Sequence, residues 1–228
     1  MSRCDLHAPA ATHSVAGTAT CASPRCDRDG FHAGRAPGVL GWLRDLTNPG
    51  TAMNDDLVFE KFFRQQLDEG MSLAEGSDLL TLLPFPGHRF IAQFCCRGLA
   101  LEEGTGKIME QNLWAIGIHF PPDYLRRPVD VAEVLTYLGP AREPWHVNIR
   151  PPHICMHIAP GAPLVEILYG LFDLLTWAVY STEQNGLNGD CAQWARHQDP
   201  KRFPLEKRPL RRRRIAFQVE PLGKVTPS

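Results

Sequence analysis

The chain has 228 residues, is 43% hydrophobic and carries a formal net charge of −1 at pH 7. That supplies material for a real core, excludes global disorder and gives no whole-chain argument for nucleic acid or a membrane surface. No apolar run reaches the ~18–20 residues that span a bilayer, since the longest, 163–180, is broken by Glu166 and Asp173.

The seven cysteines (Cys4, Cys21, Cys26, Cys95, Cys96, Cys155 and Cys191) are odd in number and irregular in spacing. Residues 1–20 contain no apolar run of signal-peptide type. Reduced thiols in the cytoplasm are therefore expected, rather than a disulfide framework.

Residues 1–52 are rich in Ala, Gly, Pro, Thr and Ser, with no persistent helix or strand period. They are read as a disordered leader. Met53 opens a segment of different character and is read as the candidate true start. Cys21, Cys26 and His32 are too loosely spaced, and lack a second cysteine pair, for a zinc site.

Asn54 is expected to cap a helix, with Asp55 and Asp56 on the positive end of its dipole and Gly70 as its stop. Phe59, Phe62, Phe63 and Leu67 fall on one face of it. Strands are expected over 77–85, 88–96, 112–120 and 129–138, with a turn at 102–107. The third is the clearest: Trp114, Ile116, Ile118 and Phe120 alternate at period 2. From Leu164 the period becomes helical through Ile167, Leu168, Leu171, Leu174, Leu175 and Ala178. Asn188 caps a further helix carrying Cys191, Ala192, Trp194 and Ala195. The order predicts an α+β fold: an N-terminal helix, a four-stranded antiparallel meander, then C-terminal helices. Residues 53–200 form its domain, and 201–228 a basic extension.

Two short segments carry the chemistry. His146-Val147-Asn148 stands just upstream of Ile154-Cys155-Met156, and a strongly amphipathic helix follows. A thiolate is a strong nucleophile, and its thioester is activated toward amines. A fixed side-chain amide nearby would stabilise the oxyanion formed when an amine attacks. Competing readings are a buried structural Cys155 and a turn-forming Asn148. His153, Cys155 and His157 alternate and would share a face as metal ligands, but spacing places no fourth ligand. Cys95 and Cys96 point to opposite faces of one strand and suit neither metal chelation nor an ordinary disulfide. Gly104-Thr105-Gly106-Lys107 fails as a phosphate loop, because Leu101 stands at the earlier Gly position and Ile108 where Ser or Thr is required. The Arg211–Arg214 run has no interleaved aromatics for base stacking and reads as a solvated tail.

Three segments in order, the Phe120-Pro121-Pro122-Asp123-Tyr124 turn, His146-Val147-Asn148 and Ile154-Cys155-Met156, resemble the core of ubiquitin-conjugating enzymes over roughly 54–200. Leu125 and Val147 stand where that family usually has Pro. Leu187-Asn188 through Trp194 is similar to a late segment of divergent bacterial members, while Asn185 falls near the place of an acidic or Ser helper. The resemblance implies a carrier of a ubiquitin-like protein, held as a thioester on Cys155. An adenylating activating enzyme would load it, and an amine of a protein substrate would receive the modifier. Asn148 would assist the transfer and His146 would pin the loop, with no metal or cofactor. It also implies a bacterial conjugation system with a role in antiphage defence. The alternative is a non-catalytic module of the same fold that only binds a ubiquitin-like protein; such modules lack the cysteine.

Overall fold

The structure is a computed structural model that describes residues 56–180 and 186–211. The leader 1–52, Met53, Asn54, Asp55, Asn185 and the stretch from Arg212 onward lie outside the described residues, as do Cys4, Cys21, Cys26 and His32.

Asp56 opens the first helix, α1 (Leu57–Glu75). Its carboxylate accepts from the Val58 and Phe59 amides at 3.2 and 3.3 Å, satisfying two donors that a helix start leaves free. Gly70 is not the stop expected from the sequence, because α1 runs through it and closes at Gly76. A Cβ on Gly70 would stand 2.7 Å from Leu164 Cδ2 and 2.8 Å from Leu82 Cδ2. The bare backbone is what lets α1 approach its neighbours.

Four strands, β1 (Leu80–Phe85), β2 (Arg89–Phe94), β5 (Trp114–His119) and β6 (Leu135–Gly139), form an antiparallel sheet in the order β1-β2-β5-β6. This is the α+β meander expected. Phe90, Ala92, Phe94, Trp114, Ile116 and Ile118 are buried in the main core with α1. Ile91, Ala115 and Leu138 form a smaller cluster apart from it. Two features depart from the expected strands. A separate hairpin, β3 (Gly98–Leu101) and β4 (Ile108–Gln111), stands between β2 and β5 in sequence, with 102–107 as its loop. The expected strand over 129–138 begins as a helical turn, α2 (Val131–Val134), because the Asp130 side chain accepts from the Ala132 amide at 2.9 Å.

Beyond β6 come a short hairpin, β7 (Ile149–Arg150) with β8 (His153–Ile154), and then helix α3 (Leu164–Leu175). Pro163 provides no side-chain cap for α3. The buried Gln66 of α1 substitutes for it, accepting from the Leu164 amide at 2.7 Å. Helix α4 (Gly189–Ala195) starts as expected at Asn188, whose side chain accepts from the Cys191 amide at 3.0 Å. A 3₁₀ turn (Pro200–Arg202) leads back to the body, where the Leu205 amide donates to the Thr176 carbonyl at 2.9 Å. Cys95, just past β2, is disulfide-bonded, a departure from the reduced thiols expected.

Glu206 clamps the last segment. Its buried carboxylate accepts from the Lys207 and Arg208 amides at 3.0 Å each and from Arg208 Nη2 at 2.8 Å. Burial pushes this carboxyl up, but the Arg208 hydrogen bonds outweigh it and hold it at about 2, below the ordinary 4.5. A lowered folded value means that the charged form stabilises the fold. That contribution is complete above the ordinary value of 4.5 and is lost as pH falls toward about 2.

Glu206→Gln is expected to lower stability at pH 7 by ~1–3 kcal/mol, with the gap to the parent shrinking through that acid window in denaturant titrations. A gap that does not change with pH would contradict the clamp. Gln66→Ala leaves the Leu164 amide buried without its acceptor and should cost ~1–3 kcal/mol in the same assay.

Candidate active site

The β7–β8 hairpin positions the thiol. Ile149 pairs with Ile154 and Arg150 with His153, and both isoleucines are buried. Side chains alternate along a strand, so Cys155, next after the buried Ile154, turns away from the core. The Cys155 amide donates to the Asn148 carbonyl at 2.8 Å, joining the two backbones just beyond the last strand pair, while Asn148 itself sits in a turn whose ends are bonded from the Ile149 amide to the His146 carbonyl at 3.2 Å. Cys155 is a free thiol and exposed, not the buried structural cysteine of the competing reading. Asn148 is half-buried. Its Oδ1 is sealed from water without a hydrogen-bond partner, and its Nδ2 makes no hydrogen bond to a described residue.

His146 and Val147 hold Asn148 in place. The Asn148 amide donates to His146 Nδ1 at 3.1 Å, so this ring nitrogen carries no proton. Burial pushes the His146 imidazole down to about 3, although the Val179 backbone opposes it. Its Nε2 is buried without a hydrogen bond of normal geometry. His146 is thus neutral at physiological pH and faces the Trp177 ring edge-on at 4.8 Å. Val147 is fully buried in a satellite core with Leu99, Trp177, Cys191, Ala192, Ala195 and Leu205. The Val147 carbonyl accepts from the Leu187 and Asn188 amides at 2.9 and 3.1 Å, while the Trp145 amide donates to the Leu99 carbonyl at 2.8 Å. Gly186, at φ 56°, passes so close that a Cβ would lie 2.5 Å from the Val147 oxygen. The segment before Asn148 is therefore wedged between β3 and the start of α4.

Cys155 and Asn148 open onto a cavity of about 350 Å³, also lined by Met156, His157, Gly170, Asp173, Leu174, Val179 and Tyr180. Gly170 makes room in α3, because a Cβ there would lie 2.6 Å from Met156 Cε. Asp173 is half-buried, and burial raises its carboxyl above the ordinary value of 3.8. Asp173 and Tyr180 were not singled out from sequence as site residues. One signal was available for Asp173, an acid standing among Phe172, Leu174 and Leu175 in an otherwise apolar helix.

His157 reaches the cavity with Cys155, whereas exposed His153 does not line it. Among the described residues no group of three His, Cys, Asp or Glu side chains is arranged to hold a metal. The Phe120–Tyr124 turn is a brace rather than a wall of the cavity: the Tyr124 hydroxyl donates to the Ala162 carbonyl at 2.8 Å, and its ring packs on Phe120 and Phe62. Gly104–Lys107 is the β3–β4 loop, with no helix behind it to receive a phosphate. No protein-family model matches the chain, and no curated protein matches it.

The three free thiols among the described residues, Cys96, Cys155 and Cys191, differ in environment. Burial pushes the Cys96 thiol far up and the Cys191 thiol up to about 12, which suppresses the reactive thiolate. Iodoacetamide at pH 7.5 should therefore label Cys155 at least ~10-fold faster than Cys96 or Cys191 by peptide mass spectrometry. Equal rates would show that the three thiols share one accessibility.

Proposed function

We propose that Cys155 carries a ubiquitin-like protein as a thioester and passes it to an amine, normally a lysine of a protein substrate. The observation that carries this reading is the exposed thiol of Cys155, a residue bonded through its backbone to Asn148, whose side-chain amide has no hydrogen-bond partner among the described residues. The likeness of the surrounding motifs to ubiquitin-conjugating enzymes supports it.

The cycle has two exchanges. In loading, the Cys155 thiolate attacks the thioester carbonyl on an activating enzyme; the new C–S bond forms, the old one breaks, and the enzyme's thiolate leaves. In discharge, a neutral amine attacks the carbonyl on Cys155. The C–N bond forms, the C–S bond breaks, Sγ leaves as thiolate and the amine gives up a proton to water or to Asp173. Between attack and departure the carbonyl oxygen bears a negative charge. The Asn148 NH₂ group is the donor for that oxygen, and the Asp173 carboxylate gives the cavity a negative charge that draws in the incoming amine. Buried, neutral His146 positions Asn148 and takes no proton from the substrate.

A bacterial conjugation system, a cytoplasmic setting and a role in defence against phage belong to the same proposal and rest on the resemblance. No helix among the described residues is long and apolar enough to cross a membrane.

With an activating enzyme, ATP and a ubiquitin-like protein, the chain should form an adduct cleaved by dithiothreitol. Cys155→Ala abolishes it and Cys155→Ser converts it to a stable ester; an adduct that survives Cys155→Ala would remove this residue. Asn148→Ala should load normally and discharge to free lysine ~10²–10³-fold more slowly. Unchanged discharge would take Asn148 out of the mechanism and favour its reading as a turn residue.

A further inference from the structure

Besides the thiol cavity, residues of α1 and α3 line a second groove of about 630 Å³. Leu73, Val165 and Tyr169 give it an apolar wall, and Asp68, Glu69 and Glu166 an acidic rim. Tyr169 is 38% exposed, a large ring left open to water. None of the three carboxylates has an ion-pair partner among the described residues; Glu69 accepts only from Gln65, at 2.8 Å.

The described chain ends at this groove, because Arg211 also lines it. Next in sequence are Arg212, Arg213 and Arg214, then Ile215-Ala216-Phe217-Gln218-Val219. Three cations thus follow directly where three unpaired anions stand. Extended, residues 212–219 reach roughly 27 Å, more than the roughly 18 Å length of a 12-residue helix such as α3. In extended form Ile215, Phe217 and Val219 share a face.

We propose that this groove is the docking site of the chain's own segment 212–219. The arginines pair with Asp68, Glu69 and Glu166, since a guanidinium fork matches a carboxylate. The alternating apolar residues lie on Leu73, Val165 and Tyr169. The site is separate from the Cys155 chemistry and stands whether or not that chemistry is correct.

Limited trypsin digestion of the full chain tests it, following cuts after residues 211–214 by mass spectrometry. Cleavage tracks the undocked population when docking is fast. The Glu69→Gln/Glu166→Gln double variant should be cut ~10-fold faster, the equivalent of ~1.4 kcal/mol from two exposed ion pairs. Added salt should accelerate cutting of the parent more than that of the variant, which keeps only Asp68 of the three carboxylates. Ser72→Ala, in the same groove but uncharged, should behave as the parent. Phe217→Ala, outside the described body, should also be cut faster and carries the test if the double variant misfolds. Equal cutting of the parent, Glu69→Gln/Glu166→Gln and Phe217→Ala overturns the proposal. That outcome would leave the groove to a basic segment of another protein, and a synthetic 212–219 peptide would then fail to compete for it.

Discussion

The hydrogen bond from the Cys155 amide to the Asn148 carbonyl is the constraint on which the site depends. It closes the β7–β8 hairpin one step beyond the Ile149–Ile154 pair. Two buried isoleucines fix the register, and a register that buries Ile154 turns Cys155 toward the cavity. A slip of one residue would bury the thiol. Core packing and site geometry are therefore one decision, made by the same pair of side chains.

The polar economy around Asn148 is unusual for a protein interior, where buried polar atoms nearly always have partners. Among the described residues Trp145 Nε1 and Asn148 Oδ1 are sealed without one and His146 Nε2 has none of normal geometry, all within four residues of chain. Unmade hydrogen bonds of this kind cost ~1–3 kcal/mol each, and they persist where surrounding structure overrides them. Here the surroundings are the aromatic cluster of Trp145, Trp177, Tyr180, Trp194 and Phe203, the capped start of α4 and the Val147 carbonyl bonds. A rigid amide beside an exposed thiol is what the proposed stabilisation of a transient oxyanion would use.

Much of the fold was legible because period and capping agree locally. Phe90, Ala92 and Phe94 alternate into the main core, Trp114, Ile116 and Ile118 do the same from β5 although Ile91 and Ala115 are buried on the opposite face, and Asn188 caps where its side chain can reach the third amide. Errors arose where two rules compete for one residue. Gly70 satisfies a helix stop equally well, yet close approach to Leu82 and Leu164 keeps it inside α1. Val131–Val134 is β-branched at both ends, and the Asp130 cap still draws it into a helical turn. At the site, Asn148, Cys155 and His146 could be named from motif order. Asp173 and Tyr180 could not, because they reach the cavity only through the packing of α3 and the chain that follows it. Gln66 as a cap for α3 was equally hidden, since it lies 98 residues away in sequence.

The most direct test of an acyl-carrier role needs no cognate activating enzyme. Ubiquitin-like proteins prepared as small-molecule thioesters can be offered to the chain and the product mapped by intact and peptide mass spectrometry. An acyl carrier at Cys155 predicts transfer of at least one such modifier onto that sulfur, in preference to every other cysteine, and reversal by added thiol. Acylation spread evenly over the cysteines, or none at Cys155 across a broad panel, would contradict it.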